Sequence, residues 1–278
     1  MSRRLTRFLT YAIIAVAALV FAFPLYYLVA TSFKTMDELY EPVPTLWPHD
    51  PTLGSYLHLF GELNFGALLV NSIIAGVSAT ILALAVALAI CYPITRLPVG
   101  RGLRSFVLNW SLSLRFLPPV AVVIPYFLIV QRFGIYNQVI ALTLVYALFN
   151  LPLSIWLLKG FLEEIPLEIE EAALVDGATR WHAFRTVILP LARTGLLAAG
   201  IIVYAFDWSE FMFAFILTAT PQAMTFPVGV QGLVTQYSII WNDMAAAGAV
   251  AILIPLLLML VARKYVMTGL TFGVIREK

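Results

Sequence analysis

The chain has 278 residues, of which 62% are hydrophobic and 12% charged. That is about half the roughly 25% charge of an ordinary soluble domain, which excludes water as the solvent for most of the surface and leaves lipid. A net charge of +2 without a basic tract gives no argument for nucleic acid, and one cysteine, Cys91, can form no intrachain disulfide and reads as a small core residue.

A helix needs about 20 apolar residues to cross the hydrocarbon, and the stretches that qualify are Phe8 to Ser32, Leu69 to Thr95, Phe106 to Val130, Val139 to Leu158, Gly195 to Ala219 and Met244 to Ala262. The expected fold is therefore an all-α integral membrane protein of about six spans. The first run follows Arg3, Arg4 and Arg7 as a secretory signal does. A signal core is about 7 to 15 residues long and ends in a small-residue cleavage site, whereas this run meets Phe33 and Lys34, so it reads as an uncleaved span. Prolines in or near the spans, among them Pro24, Pro93, Pro118, Pro119, Pro125, Pro152 and Pro255, are tolerable in lipid only if neighbouring helices or internal water satisfy the freed carbonyls. That points to a bundle.

Lysine and arginine set the orientation, because positively charged loops stay in the cytoplasm. They fall at Arg96, Arg101, Arg104, Lys159, Arg180, Arg185, Arg193, Arg263 and Lys264, on the side of Arg3, Arg4 and Arg7; the other side holds Lys34 and Arg132. Both termini are thus expected in the cytoplasm. Outside the membrane, residues 33–68 carry a proline cluster at Pro42, Pro44, Pro48 and Pro51 and are expected to be ordered but irregular; residues 220–243 form a second outer segment. The expected organisation is a first span with its outer loop over 1–66, a transmembrane domain over 67–265 that includes the inner hydrophilic loop at 163–193, and a cytoplasmic tail over 266–278.

The main hydrophilic break, residues 163–193, lies on the cytoplasmic side. Glu163, Glu164, Glu168, Glu170, Glu171 and Asp176 crowd its start. Pro166 suits a first helical turn, the acids suit its dipole, and Gly177 supplies a left-handed stop, which predicts a helix from Pro166 to Asp176. Ile165, Ile169, Ala172 and Ala173 give it a narrow face of small apolar residues. A second helix is predicted to start at Thr179 as cap, to carry a stripe of Trp181, Phe184, Val187, Ile188 and Leu191, and to end at Pro190 before the fifth span. The pair could lie on lipid headgroups. An anionic leaflet repels the acidic first helix, however, and a groove on another protein fits it better.

Glu171, Ala172 and Ala173, then Gly177, then Val187, Leu189 and Pro190 resemble the EAA loop of binding-protein-dependent ABC importer permeases, with valine where isoleucine is usual. The resemblance extends over nearly all of the chain and is closest to the carbohydrate-uptake branch that includes the second permease of maltose importers. It is carried further by Asn71 and Ser72, by Tyr92 to Arg101 with Arg96 and Gly100, by Arg115 to Pro125, by Asp207 to Phe211, where Ser209 replaces the usual asparagine, and by Gly269, Leu270, Thr271 and Gly273. It implies a type I ABC importer permease in a bacterial or archaeal cytoplasmic (inner) membrane. Its implied partners are a second homologous permease, two ABC ATPase subunits, an extracytoplasmic solute-binding protein and a sugar or polyol. ATP and Mg would bind the ATPases and no cofactor would bind this chain; none of Lys34, Lys159, Lys264 and Lys278 follows a glycine as a Walker A lysine does. Glu171, Ala172, Ala173, Asp176, Gly177, Val187, Leu189 and Pro190 would couple to the ATPase, and the tail from Thr271 to Lys278 would also reach it.

Asp207 and Glu210, three residues apart in the expected fifth span, share a helical face and are costly in lipid unless they face protein or water. With Asn71, Ser72, Arg115, Trp208 and Phe211 they are candidates for a solute path, since sugars stack on aromatics and bond to carboxylates. The bland alternative is a contact between helices with Arg115, which could instead snorkel to the inner interface. His49, His58 and His182 have no metal-ligand spacing, and neither a nucleophile elbow nor an aspartic dyad is present, so no metal and no catalysis are expected. The rival readings are an ion-coupled secondary transporter using Asp207 and Glu210, or a membrane scaffold with no path.

Overall fold

A computed structural model of the chain describes residues 3–234 and 239–274, with side chains described as far as residue 260. The tail from Thr271 to Lys278 and its expected contact therefore lie outside the described side chains. The elements are α1 (Arg3–Ser32), α2 (Met36–Leu39), α3 (Gly54–Leu57) with a π turn at His58–Glu62, α4 (Phe65–Arg96), α5 (Arg101–Arg115) and α6 (Pro119–Arg132). They continue as α7 (Val139–Glu163), α8 (Leu167–Val175), α9 (Arg180–Ala183) with a π turn at Phe184–Ile188, α10 (Leu189–Trp208), α11 (Met212–Leu217), α12 (Phe226–Gly232) and α13 (Trp241–Val274). Five helices among the described residues are long and apolar enough to cross a membrane, and α5 with α6 makes a sixth span if the bent pair counts as one. The all-α integral membrane fold expected from the apolar runs is the one observed.

Three expectations need correction. The third run is not one straight span: α5 and α6 meet at 99°. Pro118 and Pro119 stand at the break, and Pro118 takes an extended ψ of 138°, because proline removes a donor and pushes the residue before it out of the helical region. The fifth run does not continue to Ala219. Helix α10 stops at Trp208, Ser209 leaves helical geometry at ψ 0°, and α11 starts afresh at Met212.

Pro190, expected to end the second inner helix, does not. The helix runs unbroken from Arg180 to Trp208, with Pro190 at the second residue of α10. The π turn just before it closes with the Leu189 N–H on the Phe184 carbonyl, a wider loop that takes up the ring where a regular helix would clash with it. The stripe from Trp181 to Leu191 is thus the first part of the fifth span.

The chain divides into two compact units, residues 1–66 with 229–254 and residues 67–228 with 255–278. In the first, the 33–68 connection is expected to be ordered and is, but not wholly irregular, since α2 and α3 form within it. A buried pair organises it. Lys34 Nζ lies 4.0 Å from Glu38 Oε1, with side chains 2% and 5% exposed. Lys34 donates to the Thr45 carbonyl and sits 5.1 Å over the Tyr27 ring, while Glu38 accepts from the Thr45 hydroxyl and, at 3.1 Å, from the His49 N–H. Burial pushes the Glu38 carboxyl up, but those hydrogen bonds and the Lys34 charge outweigh it and hold it below its usual 4.5. In the same unit His58 Nδ1 donates to the buried Asp243 Oδ2 at 2.5 Å.

In the second unit, Leu142, Val145 and Tyr146 of α7 form a core with Phe213 and Leu217 of α11, while Ile155, Leu158 and Leu162 of α7 pack with Cys91 and Ile188. Cys91 is buried, as expected, and its thiol meets the Ile155 carbonyl at 3.2 Å. Gly195 lets α10 lie against α7, because a Cβ there would collide with the Phe161 side chain.

Candidate functional site

The hydrophilic break folds into α8, a tight turn and α9. Pro166 stands before the first residue of α8 with Glu168 and Glu170 in the first turn, as the dipole favours. At the other end the Ala178 N–H reaches the Ala173 carbonyl at 3.0 Å and the Gly177 N–H reaches that of Leu174 at 3.1 Å, the paired bonds of a Schellman stop. Gly177 takes φ +90°, where a side chain is strained although nothing would touch it. Thr179 then caps α9, its hydroxyl accepting the His182 N–H at 3.2 Å. Turn and caps sit where the spacing of residues places them.

The faces of α8 do not follow the simple expectation. Ile169 and Ala172 are exposed and Ala173 is half-buried, so the small apolar face points largely away from the chain. Val175 is 86% exposed and Trp181, after the turn, 64%. The side chain turned inward is Glu170, which is buried, while Glu171 is exposed. Between α8 and the following helix runs a groove of about 600 Å³, lined by Ala173, Asp176, Gly177, Thr179, His182 and Val187. Leu189 is half-buried and Pro190 exposed. An exposed, partly apolar helix end beside a hollow is a shape that a protein groove or knob can fill.

The candidate path residues separate into two groups. Asn71 donates to the Pro221 and Met224 carbonyls, both at 3.0 Å, and Ser72 Oγ accepts the Phe226 N–H at 2.7 Å. Both are buried and tie α4 to the segment before α12. Asp207 is 4% exposed; Thr80 donates to Oδ2 at 3.0 Å and Asn150 to Oδ1 at 2.7 Å. Trp208 is buried and stacks on Tyr204 and Phe226. These four are structural in their contacts. They cross-link helices that a lipid environment would otherwise leave with unmet polar groups.

Glu210 does not share a helical face with Asp207, because it lies in the break after α10. Its two oxygens accept the Phe213 and Ala214 N–H groups at 2.9 and 3.2 Å and so cap α11. Arg115 ends α5 beside the bend; its Nη1 lies 3.4 Å from Asn150 Oδ1 and its guanidinium 4.8 Å from the Phe206 ring centre. Asn150, a polar residue in an apolar run, thus stands between Arg115 and Asp207, a place that no motif in the sequence marks. Phe211 and Phe206 remain exposed. Among the described residues no group of three or more histidine, cysteine or acidic side chains could hold a metal ion.

Two further residues stand out in the sequence only as parts of longer stretches. Arg96, at the end of α4, donates through Nη2 to the carbonyls of Leu162 and, at 2.7 Å, Ile165, where α7 ends. Tyr92, one turn earlier, donates to Glu170 Oε1 at 2.6 Å.

Residues 82–270 match the family model described as binding-protein-dependent transport system inner membrane component. The chain is 32% identical over 267 residues to the sulfoquinovosyl glycerol transport system permease protein SmoH of Agrobacterium fabrum, covering 96% of this chain and 92% of that one. It is 33% identical to the trehalose transport system permease protein SugB of Mycobacterium tuberculosis, over 89% and 98% of the two chains. To the trehalose/maltose transport system permease protein MalG of Thermococcus litoralis it is 31% identical, over 93% of each. Its fold matches a chain from the crystal structure of a bacterial ABC transporter that imports the acidic polysaccharide alginate, with a TM-score of 0.79, 19% identity and 95% and 98% coverage. The apolar spans, the EAA-like loop and these matches converge: the chain belongs to the inner membrane component family of binding-protein-dependent transport systems.

Proposed function

We propose that this chain is the permease subunit of an ATP-driven importer for a sugar or sugar-like solute in a bacterial or archaeal inner membrane. Both termini face the cytoplasm, a second homologous permease completes the path, and two ATPase subunits bind ATP and Mg and do the catalysis. A solute-binding protein delivers the cargo from outside. The observation that carries the coupling role is α8: a short helix whose Ile169, Ala172 and Val175 are exposed, stopped by Gly177 and set beside a groove. An ATPase cleft seated on that helix buries the apolar side chains and meets the Glu171 charge, and Asp176, Val187, Leu189 and Pro190 frame the joint.

The sugar class rests on the relatives, which carry sulfoquinovosyl glycerol, trehalose and maltose by name. Phe211, Phe206 and Arg115 are the path-facing candidates that the geometry favours, since Asp207, Trp208, Asn71 and Ser72 commit their polar groups or rings to neighbouring helices. The ion-coupled alternative needs Asp207 and Glu210 open to a cation, and both carboxylates are engaged by hydrogen bonds. Uptake into proteoliposomes holding the whole complex tests the reading, with solutes chosen by a binding screen on the solute-binding protein encoded beside the chain. Transport should require ATP and survive collapse of the ion gradients; transport that persists without ATP and stops with the gradient would overturn it.

A further inference from the structure

Glu170 is an acid turned inward on a helix whose other acids face out, and its surroundings are specific. Its Oε1 accepts the Tyr92 hydroxyl at 2.6 Å, and its Oε2 lies 4.0 Å from Arg96 Nε, with the two charged side chains 4% and 1% exposed. Arg96 in turn holds the Leu162 and Ile165 carbonyls at the end of α7, an end whose carbonyls no longer have helical partners. The Tyr92 ring lies against Phe184 at 4.7 Å, in the π turn that leads into α10. Tyr92 and Arg96 are one helical turn apart on α4 and so share a face. Four elements, α4, α7, α8 and the π turn, therefore meet on two side chains.

The meeting is not closed. Arg96 Nε and Nη1 and Glu170 Oε2 are buried and have no hydrogen-bond partner among the described residues. A buried charge-assisted bond left this long forgoes most of its strength, and buried polar atoms without partners are costly enough that such a place asks for a reason. An approach of about one ångström between Nε and Oε2 would make the missing bond, and Glu170, on the short helix α8, is the side chain placed to supply it.

We propose that Tyr92, Arg96 and Glu170 form a positioning clamp that fixes α8 to the inner end of α4 and tightens when α8 is pressed inward. The proposal rests on the coupling reading of α8 but concerns where the push goes. It assigns the recipient as α4 and the end of α7, in addition to the continuous chain into α10. Tyr92 supplies the bond that is made in the structure, Arg96 the tie to α7, and Glu170 the charge that both hold.

The test uses the full complex in nanodiscs, with spin labels at the exposed Glu168 on α8 and at Gly100 just beyond α4, in a Cys91→Ser background. With the clamp intact, the label distance should be narrowly distributed without nucleotide and narrower or shorter with ATP and vanadate. Glu170→Gln and Arg96→Gln should each broaden it roughly twofold in both states, as expected for a segment released from its anchor, and Arg96→Lys should recover part of the narrowing. Tyr92→Phe, which deletes one hydroxyl and keeps the ring contact, should broaden it less, and it keeps the proposal testable if a charge variant fails to insert. Distributions equal to the unmodified chain in Tyr92→Phe and in whichever charge variants insert would overturn the clamp. Docking is read separately, by whether the ATPase still co-purifies with an Ala172→Trp chain. Retention there with full coupling counts against docking and leaves the clamp standing on its own distances.

Discussion

Two buried ion pairs in this chain have equal separation and unequal completeness. Lys34 and Glu38 stand 4.0 Å apart, as do Arg96 and Glu170, and all four side chains are at least nine-tenths buried. The first pair lies within one short connection, four residues apart, and directs its charges onto Tyr27, Thr45 and His49. The second joins residues 74 positions apart (170 minus 96) and leaves three polar atoms without partners among the described residues. A buried charge is tolerable when its neighbours satisfy it, and then it specifies one arrangement; partly satisfied, it marks a place where more than one arrangement is near in energy. The Lys34 pair is a fixed lock and the Arg96 pair a joint.

That contrast can be broken by experiment. The largest effect on stability is expected for Glu38→Ala, which leaves Lys34 buried without its counter-charge and should cost about 3 to 5 kcal/mol; thermal unfolding of the purified chain in detergent measures it, and a loss below about 1 kcal/mol would deny the lock. Gly177→Val comes next. A branched residue at φ +90° stores about 1 to 3 kcal/mol of strain, and the chain should still insert while ATP hydrolysis proceeds without uptake. Full coupled transport in that variant would count against docking at α8. Glu170→Gln should cost less than Glu38→Ala, about 1 to 2 kcal/mol, because glutamine can still accept the Tyr92 hydroxyl and Arg96 keeps the Leu162 and Ile165 carbonyls. Equal losses in the two would erase the distinction between lock and joint.

The smallest effect is a matter of pH. Because the folded Glu38 carboxyl is held below 4.5, its contribution is complete above that value and fades as the pH falls through the lower folded value. Protection of residues 34–49 against hydrogen exchange, taken relative to the intrinsic rate at the same pH, should therefore fall below about pH 4.5, and Glu38→Gln should remove that acid limb. An unchanged acid limb in the variant would place the titration elsewhere.

Much of this architecture is legible in the residues themselves. The stop at Gly177 and the cap at Thr179 depend on local backbone chemistry, which residue type reveals directly, and the apolar runs report spans because hydrocarbon thickness sets their length. The 99° bend between α5 and α6 escapes such a reading because hydropathy sums over a window and is blind to direction, although Pro118 and Pro119 are its visible cause. Asp207 and Glu210 mislead for a related reason: a spacing of three implies a shared face only while the helix continues, and Ser209 ends it. The roles of Asn150 and Glu170 depend on partners 57 and 78 positions away, at Asp207 and Tyr92, which no local pattern encodes.

The uninterrupted helix from Arg180 to Trp208 has a mechanical meaning. Its close contact with Phe161 comes at Gly195, 15 residues from one end and 13 from the other, or about 22 Å and 20 Å at 1.5 Å per residue. Buried side chains from Ala192 to Trp208 grip the rod along its length, so a load applied at Trp181 is borne by a whole packed face and not at one point. The glycine near its middle lets that face sit flush on the neighbouring helix.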